Sequence, residues 1–229
     1  MARTMLVTGA TGGIGMALVR AAGQRGYRVM AAGRDPARLA DLCAEVPGAV
    51  PVVLDLRDPA DVARKLGELP SLDVLVHCAG IAEVASVEET PLELWQETLT
   101  VNVIAAAELT RVLLPALRAA AGSVVFINAT PGMRAVPRWS AFVASKAALR
   151  ELADSLRAEE AQHGMRVTTI FPGGTATEML RRLRGKFGRA YDAEQCIKPE
   201  TLASLVLGVL DAPADVHVTE LSVLPTPRS

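Results

Sequence analysis

The fold is decided by the stretch MLVTGATGGIG, residues 5–15, where an apolar strand pattern passes through a glycine-rich turn into a helical pattern. Glycine permits positive φ and lets the backbone approach a ligand closely. The helix that follows points its free N–H groups and the positive end of its dipole at the turn, which suits a pyrophosphate. At the first strand–helix junction this turn predicts a dinucleotide site, with a tight turn that holds no ligand as the alternative. The predicted contacts are Gly9, Thr11, Gly13, Ile14 and Gly15.

Outward from this turn, short apolar runs alternate with longer helical patterns. The runs are rich in Val, Leu and Ile and nearly continuous, as in strands that are buried on both faces. The predicted strands are Thr4–Thr8, Arg28–Ala32, Val50–Leu54, Val74–His77, Ser123–Asn128, Arg166–Phe171 and His217–Val223. The predicted helices span residues 13–25, 36–44, 59–67, 92–119, 141–162 and 200–211. This order predicts an α/β fold, a Rossmann-like doubly wound parallel sheet of about seven strands with helices on both faces.

Length and composition fit one domain, residues 1–229, without a strongly charged partner. Half of the 229 residues are apolar, and the formal net charge of −1 gives no excess that would favour nucleic acid or an anionic membrane. The three cysteines are odd in number and far apart, which indicates a reducing compartment. The sequence shows no targeting segment and no run of about 18 apolar residues, so we expect a cytoplasmic protein that does not span a membrane.

One segment, residues 175–198, departs from the strand–helix alternation. Its basic side chains include Arg181, Arg182, Arg184, Lys186 and Arg189. Together with Gly185 and Gly188, they favour a mobile helical flap near the substrate. A solvated basic surface helix is the alternative.

The second predicted strand ends at Gly33-Arg34-Asp35, the position that faces the adenine ribose in a dinucleotide fold. An acidic residue there binds the 2′-hydroxyl of NAD, whereas an arginine pairs with the 2′-phosphate of NADP. Arg34 comes first, so we predict NADP(H) over NAD(H), unless Asp35 only caps the next helix and Arg34 is merely exposed. Asp55 and Leu56, after the third strand, are predicted to lie near the cofactor, although Asp55 could equally be an ordinary loop acid.

Several motifs in order resemble the short-chain dehydrogenase/reductase family over essentially the whole chain. The glycine turn has that family's TGxxxGxG form, and His77-Cys78-Ala79-Gly80 resembles its Asn-Asn-Ala-Gly strand end with both asparagines replaced. Asn102 is similar to the family's active-site asparagine, and Pro172-Gly173 resembles the start of the loop that embraces the nicotinamide. The resemblance implies cofactor contacts from Cys78, Ala79, Gly80, Asn102, Lys146, Pro172, Gly173, Thr175 and Thr177.

The resemblance breaks down at the centre of the expected active site. The family's Tyr-x-x-x-Lys motif is similar to Phe142–Lys146 here, and the position of its catalytic serine holds Ala129. In the family the tyrosine exchanges a proton with the substrate, the serine hydrogen-bonds the substrate oxygen and the lysine holds the ribose. Loss of a positioned acid costs about 10² to 10⁴ in rate, and loss of an oxyanion donor costs about 10² to 10³. The resemblance therefore implies that the usual carbonyl reduction does not operate, although Lys146 can still bind the ribose.

Few residues offer a replacement proton donor. Thr130 follows Ala129 and carries a hydroxyl, although capping the strand end is its more ordinary role. His77 titrates near neutrality, but its place at a strand end favours cofactor contact or packing. Tyr191 in the flap is a phenol whose spacing singles out no role. Other side chains that could rim the pocket are Arg134, Arg138, Trp139 and Glu178. No group of residues has metal-ligand spacing.

Four functions remain open on this reading. The first is a divergent biosynthetic enzyme, natural to secondary metabolism, that catalyses cyclisation, dehydration or isomerisation in an NADP(H) pocket. The second is an oxidoreductase whose proton comes from water, from a substrate group or from an unexpected side chain. The third is a catalytically silent dinucleotide-binding or regulatory protein, and the fourth is an ordinary reductase with engineered inactivating substitutions. We expect a small-molecule substrate, and the family resemblance implies a homodimer or homotetramer.

Overall fold

Seven parallel strands form one sheet in the computed structural model, which describes residues 2–66, 69–130 and 135–226. The strands are β1 (Thr4–Thr8), β2 (Arg28–Gly33), β3 (Val50–Val53), β4 (Val74–His77), β5 (Ser123–Ile127), β6 (Arg166–Pro172) and β7 (Glu220–Val223). Their order across the sheet is β3-β2-β1-β4-β5-β6-β7. The predicted Rossmann-like fold is therefore confirmed.

Helices cover both faces of this sheet. They are α1 (Gly13–Gln24), α2 (Pro36–Glu45), α3 (Pro59–Leu66), α4 (Leu92–Leu99), α5 (Ala105–Ala119), α6 (Ser140–Glu160), α7 (Glu178–Lys186) and α8 (Pro199–Leu210). Alternate side chains of a strand point to opposite faces. Met5 and Val7 of β1 accordingly pack in the core with α1 and α8, whereas Leu6 packs in the core with α3, α5 and α6. Burial on both sides explains why the strands read as continuous apolar runs.

The strand order changes direction at β1: β2 and β3 lie on one side of it, and β4 to β7 lie on the other. This change of direction positions the site. β1 pairs with β2 on one side and with β4 on the other. In sheets of this kind, ligands bind outside the carboxyl ends of the strands at the point of reversal. The glycine turn after β1 and the segment after β4 therefore meet at one crevice.

The helix predicted over residues 92–119 is interrupted. Thr100–Ile104 form a π-helical turn between α4 and α5, and such a turn adds one residue to the helical ladder. Asn102 is buried in this turn and hydrogen-bonds the backbone of Ile81. Apolar periodicity did not predict the interruption, because apolar residues continue through it on both sides.

The helical run Leu92–Ala119 is long and apolar enough to cross a membrane, by length and composition, with a mean hydropathy of 1.4 over its most apolar part. An uninterrupted apolar run was not visible in the sequence because Glu108 and Arg111 lie within it. Leu109 and Leu113 on this helix are buried in the core against the sheet. That placement is typical of a core helix in an α/β fold.

Two further boundaries differ from the sequence-based expectation. β7 starts at Glu220 rather than at His217, and before it Nε2 of the His217 imidazole lies 3.0 Å from both the backbone N and the backbone O of Val167. The helix predicted over residues 141–162 is α6, which begins at Ser140 and ends at Glu160. A short 3₁₀ turn follows it, and Gly164 closes that turn with a φ of 69°.

The predicted flap, residues 175–198, contains α7 and a 3₁₀ turn at Ala193–Gln195. The Thr177 hydroxyl caps α7 by accepting from the backbone N of Leu180 at 3.2 Å. Thr175 pairs with Ile197 in a parallel bridge, so the two ends of the segment are tied together. Its mobility stays a prediction.

Candidate cofactor and substrate site

Close backbone packing holds the glycine turn against the segment after β4. Gly9 has a left-handed φ of 65°, and a Cβ there would lie 2.8 Å from Cα of Ala79. A Cβ at Gly15 would lie 2.2 Å from the carbonyl oxygen of Gly9. Gly12 closes the turn, since its N–H donates to that same oxygen at 2.9 Å. Gly9 and Gly15 are therefore required by the fold itself.

The N-terminus of α1 follows this turn without a side-chain cap. Gly12 occupies the N-cap position, and no side chain accepts from the N–H groups of the first turn. These free donors and the positive end of the helix dipole suit a pyrophosphate, so the residues present fit a dinucleotide. Gly13 in the first turn lies against Thr177, whose Cγ2 would be 2.7 Å from a Cβ at this position. The loop after β6 therefore reaches the same crevice.

Two arginines and one carboxylate lie at the end of β2. Asp35 caps α2, and its Oδ1 accepts from the backbone N of Arg38 at 3.1 Å. Arg34 is exposed at the strand end. Arg38 donates from Nη2 to the carbonyl oxygen of Thr11 at 2.7 Å and so ties α2 to the glycine turn. This residue was not predicted from the sequence. No local spacing marks this contact, because 27 positions separate the partners.

Asp55 and Leu56, which follow β3, both make contacts within the protein itself. Oδ1 of Asp55 accepts from the backbone N of Arg57 at 3.0 Å, and Oδ2 lies 3.8 Å from the same residue's Nη1. Leu56 packs against the core that contains α3 and α5. This is the behaviour of an ordinary loop acid and its neighbour, and their contact with the cofactor stays a prediction.

The Thr8 hydroxyl organises the segment after β4. It accepts from the backbone N of Cys78 at 3.1 Å and of Ala79 at 3.2 Å. Burial raises the pKa of the Cys78 thiol to about 12, which makes it an inert side chain rather than a nucleophile. A Cβ at Gly80 would lie 3.4 Å from Oδ1 of Asn102 and 3.7 Å from Nζ of Lys146, so glycine keeps the crevice open beside these two groups.

Asn102 joins three parts of the site with one amide. Its Oδ1 accepts from Ile81 N at 2.8 Å, and its Nδ2 donates to Ile81 O and to Ser145 Oγ, both at 2.9 Å. Ser145 in turn donates to the carbonyl oxygen of Phe142 at 2.7 Å. This chain of hydrogen bonds fixes α6 relative to the segment after β4. The role of Ser145 was not predicted, because the family motif assigns functions only to its first and last positions, Phe142 and Lys146.

Lys146 reaches the crevice from α6 and is half-buried. Its Nζ donates to the carbonyl oxygen of Ile127, the last residue of β5, at 3.0 Å. Asn128 supports the helix backbone here by donating to Lys146 O at 3.0 Å. Burial lowers the pKa of the Lys146 ammonium to about 8. An ammonium has three donors, so donors remain for ribose hydroxyls.

Phe142 brings an apolar ring to the same point. The ring centre lies 5.7 Å from Nζ of Lys146. Trp139 stacks on it, with centroids 4.6 Å apart and planes inclined by 20°. Ala129 packs against the same apolar cluster. The structure thus brings Phe142, Ala129 and Lys146 together, as the motif spacing predicted.

The flap helix α7 lies over this cluster and is held there by charge pairs. Glu83, in the segment after β4, forms ion pairs with both Arg182 and Lys186 of α7. Arg182 also donates from Nη2 to the carbonyl oxygen of Ala82 at 2.9 Å. Both cations were named from the sequence, but Glu83 was not, because about a hundred residues separate it from α7.

Apolar contacts complete the closure. Leu183 of α7 is buried in the cluster that contains Phe142. Phe187, just after α7, meets Trp139 edge-on, with centroids 5.6 Å apart. The cluster is made up of Ala82, Val84, Ala129, Trp139, Phe142 and Leu183.

The loop after β6 is anchored to the neighbouring strand. Gly173 N donates to Val223 O at 2.7 Å, and a Cβ at Gly173 would lie 2.9 Å from Cδ of Pro225. The Thr175 hydroxyl donates to Gly173 O at 3.2 Å and is buried. The predicted contacts of Pro172, Gly173, Thr175 and Thr177 with a nicotinamide stay predictions.

The predicted rim residues have other contacts. The backbone N of Thr130 donates to Pro172 O at 3.1 Å, and the role of its hydroxyl stays a prediction. Glu178 pairs with Arg181 within α7, and Arg138 is exposed with a φ of 63°. Arg134 lies outside the described residues, and Tyr191 is half-buried within the flap.

His77 is a packing residue. It stacks on Phe126 with centroids 4.7 Å apart, and its Nε2 lies 2.8 Å from Oγ1 of Thr110. Thr110 Oγ1 donates to Ala106 O, so the imidazole N–H donates to that hydroxyl. Burial lowers the pKa of His77 to about 3, and the ring is therefore neutral at physiological pH.

Comparison with known proteins gives consistent matches. The sequence profile of the short chain dehydrogenase family matches residues 3–186. A short-chain type dehydrogenase/reductase of Sinorhizobium fredii is 37% identical over 230 residues, which cover 96% of this chain and 90% of the relative. A solved structure described as a candidate NAD(P)-dependent gluconate 5-dehydrogenase from Beutenbergia cavernae, with NADP bound at low occupancy, has a TM-score of 0.85 at 33% identity and covers 97% of this chain and 95% of its own. A closed form of serine dehydrogenase complexed with NADP⁺ has a TM-score of 0.86 at 28% identity, with coverages of 96% and 94%.

These matches extend over nearly the whole chain and agree with the glycine turn at the point where the sheet reverses. Members of the matched family bind a nicotinamide dinucleotide and small-molecule substrates. The chain therefore belongs to the short-chain dehydrogenase/reductase family.

Proposed function

We propose that this chain binds NADP(H) and catalyses a reaction that needs no side-chain proton donor at position 142. The family makes it an NAD(P)-dependent, oxidoreductase-like protein. The observation that carries the proposal is the placement of Phe142, whose ring lies 5.7 Å from Nζ of Lys146 at the motif position of the family's tyrosine. Ala129, at the motif position of the serine, packs against the same cluster. Neither side chain can transfer a proton or donate a hydrogen bond.

The preference for NADP(H) rests on the end of β2. Asp35 caps α2 and Arg34 is exposed, the arrangement also expected if Arg34 makes no cofactor contact, so the preference rests on the positive charge that Arg34 places at this strand end. An arginine in this position pairs with a 2′-phosphate. Two structures similar to this chain hold NADP or NADP⁺, which supports the same choice.

The cofactor would be held by groups from several elements. The free N–H groups at the start of α1 would bind the pyrophosphate, Arg34 the 2′-phosphate and Lys146 the ribose hydroxyls. The nicotinamide, when bound, supplies or accepts a hydride. The chain's own contribution is to orient the cofactor and to exclude water beneath α7.

We assign the reaction to a divergent biosynthetic step, either a non-redox cyclisation, dehydration or isomerisation, or a hydride transfer whose proton comes from outside the protein. Reactions of the first kind depend chiefly on placement and electrostatics. Burial holds His77 and Cys78 in their neutral forms, so neither adds a charge to this site. Lys146 is then the titratable group beside the Phe142 ring, and its pKa of about 8 allows it to carry a charge at neutral pH.

The proposal also covers the domain organisation, the cellular location and the oligomeric state. We propose one domain over residues 1–229, a cytoplasmic location and a homodimer or homotetramer. Family members are typically oligomeric, and size-exclusion chromatography with light scattering measures the oligomeric state directly.

Calorimetry and a substrate panel test the two halves of the proposal separately. Titration with NADPH and with NADH is expected to give tighter binding of NADPH. A panel of ketones and aldehydes is then expected to show no rapid loss of NADPH absorbance, since any hydride transfer lacks a side-chain proton donor. No affinity for either coenzyme would overturn the first half, and rapid ketone turnover by the unaltered chain would overturn the second.

A further inference from the structure

The flap carries a net positive charge, unlike the chain as a whole. Residues 175–198 contain six Lys and Arg side chains against three Asp and Glu, in a chain whose formal net charge is −1. α7 lies within this segment and covers the Phe142 side of the crevice, where Leu183 is buried in the apolar cluster. A cleft lined by cations raises the local concentration of anions. The charge of the flap therefore favours an anionic molecule beneath it.

Two of these cations meet at one carboxylate beside the apolar cluster. Arg182 and Lys186 are four positions apart, so their side chains share one face of α7. Both form ion pairs with Glu83, which belongs to the segment after β4 beneath α7. The side chain of Glu83 is 30% exposed, and those of the two cations are each 44% exposed. Solvent reaches this charged triad, and a small ligand from solution can reach it as well.

The triad is charged at neutral pH, and its charges do not balance. Burial raises the pKa of the Glu83 carboxyl, but hydrogen bonds from Lys186 and Arg182 outweigh this effect and hold its pKa below its usual range. One negative charge thus faces two positive ones. The Lys186 ammonium has three donors, and Glu83 accepts from one of them. A second carboxylate would balance the charge and accept from donors that the described residues leave free.

Further cations lie on the same side of the crevice. The guanidinium of Arg189 is 5.4 Å from the centre of the Phe187 ring, and Nζ of Lys146 is 5.7 Å from that of Phe142. Lys146 donates to the carbonyl oxygen of Ile127, which carries no formal charge. The apolar cluster thus lies among positive charges. An anion placed against it would be attracted to them, whereas a cation would be repelled.

We propose that the substrate of this site carries a carboxylate group, which binds Arg182 and Lys186 in competition with Glu83. Without substrate, the Glu83 carboxylate supplies the negative charge and holds α7 against the crevice. A substrate carboxylate takes over the same two cations, so that α7 closes on the substrate through charge-assisted hydrogen bonds. The inference rests on the proposed function only in taking the Phe142 side of the crevice as the substrate side.

Calorimetry with a matched pair of probes tests this assignment on protein saturated with NADPH. The probes are 4-oxopentanoate and 4-oxopentanamide, which have nearly the same shape and differ in charge. We expect 4-oxopentanoate to bind at least about tenfold more tightly than the amide, and this preference to weaken as the salt concentration rises. Equal affinity for the two probes would overturn the proposal.

Binding is expected to strengthen when Glu83 loses its charge. Glu83→Gln keeps the shape of the side chain and removes the competing negative charge, so the affinity for 4-oxopentanoate should rise by at least about threefold. Misfolding cannot produce such a gain. Glu178→Gln is the matched control, since Glu178 pairs with Arg181 within α7 and should leave the affinity unchanged. The proposal fails if Glu83→Gln binds 4-oxopentanoate no more tightly than the unaltered chain, or binds neither probe.

Removal of single charges from α7 locates the binding. Arg182→Met and Lys186→Met are each expected to lower the affinity for 4-oxopentanoate by about fivefold or more while NADPH binding persists. Arg181→Met removes the same charge from the same helix, but from a residue paired with Glu178, and should change little. Unchanged affinity in both of the first two variants, or an equal loss in Arg181→Met, contradicts the proposal. Absence of NADPH binding by the unaltered chain would instead count against the proposed function, and the probes would then be titrated without cofactor.

Discussion

The centre of the Phe142 ring lies 5.7 Å from Nζ of Lys146, one helical turn along α6. The ammonium is therefore held beside an aromatic face, and its Nζ also donates to the carbonyl oxygen of Ile127. A phenol in place of this ring would extend toward the crevice within the electrostatic reach of the ammonium, which lowers a phenol's pKa. The scaffold for proton transfer is thus present without the group that transfers the proton.

Restoring two hydroxyls is expected to restore ordinary carbonyl reduction. The double variant Phe142→Tyr with Ala129→Ser regains a positioned acid and a donor to the substrate oxygen. Each group is typically worth about 10² or more in rate, so we expect ketone-dependent NADPH oxidation to rise by at least about 10²-fold over the unaltered chain.

The matched control for this gain is Lys146→Met in the restored background. It should abolish the gain, because the phenol then loses the cation that activates it. If the double variant reduces no ketone while it binds NADPH normally, the pocket has been remade around a different reaction.

Cofactor selectivity is expected to depend on Arg34. Arg34→Ala removes a charge-assisted contact to the 2′-phosphate, which is worth about 1.5–3 kcal/mol, or roughly 10- to 100-fold in affinity. NADP affinity should fall by that factor and NAD affinity should change little, as measured by calorimetry. Arg38→Ala is the matched control, since it breaks the contact to Thr11 O and should weaken both coenzymes alike. Equal weakening by Arg34→Ala would contradict the assignment.

The contact between Gly13 and Thr177 is expected to be testable by a compensating pair. Gly13→Ala places a methyl 2.7 Å from Cγ2 of Thr177, and such overpacking typically costs about 1–3 kcal/mol. Adding Thr177→Ser removes that methyl and keeps the hydroxyl that caps α7. We expect the double variant to recover much of the lost stability and NADPH affinity. Independent, additive effects in a double-mutant cycle would show that the two residues do not touch.

Acid sensitivity is expected to come partly from His77. Its pKa is about 3 in the folded protein, against an ordinary value of 6.5 for histidine. The unfolded chain therefore binds a proton that the folded chain does not, and the free energy of unfolding falls as pH drops from about 6.5 toward 3, by up to about 1.4 kcal/mol per pH unit. His77→Met should flatten this dependence in urea unfolding, because Thr110 keeps its bond to Ala106 O. Parallel pH profiles for the two proteins would contradict the explanation.

The fold was readable from the sequence because each of its signals is local. Strands buried on both faces read as apolar runs, and Asp35 before Pro36 marks a helix start in both sequence and structure. Gly9 and Gly15 were recognisable because their packing demands no side chain at all. The meeting of Lys146 and Phe142 followed from their spacing on one helix.

The parts of the site that escaped prediction depend on contacts between distant segments. Glu83 finds Arg182 and Lys186 only after the sheet has placed the segment after β4 beneath α7. Arg38 reaches Thr11 across two different loops. Trp139 could be named as a rim residue, but its edge-on contact with Phe187 joins the start of α6 to the segment after α7, which sequence spacing does not fix.

We expect the π-helical turn at Thr100–Ile104 to make the helical run Leu92–Ala119 tolerant of shortening by one position. Deleting a residue there would leave a continuous α-helix, so the core face of α5 could stay in register with the sheet. The amide of Asn102 would then rotate away from Ile81 and Ser145, and α6 would lose its tether to the segment after β4. We therefore expect such a deletion to give a folded protein in which α6 is no longer tied to the segment after β4. The extra residue in this helix therefore aligns the two sides of the crevice, and the stability of the fold does not depend on it.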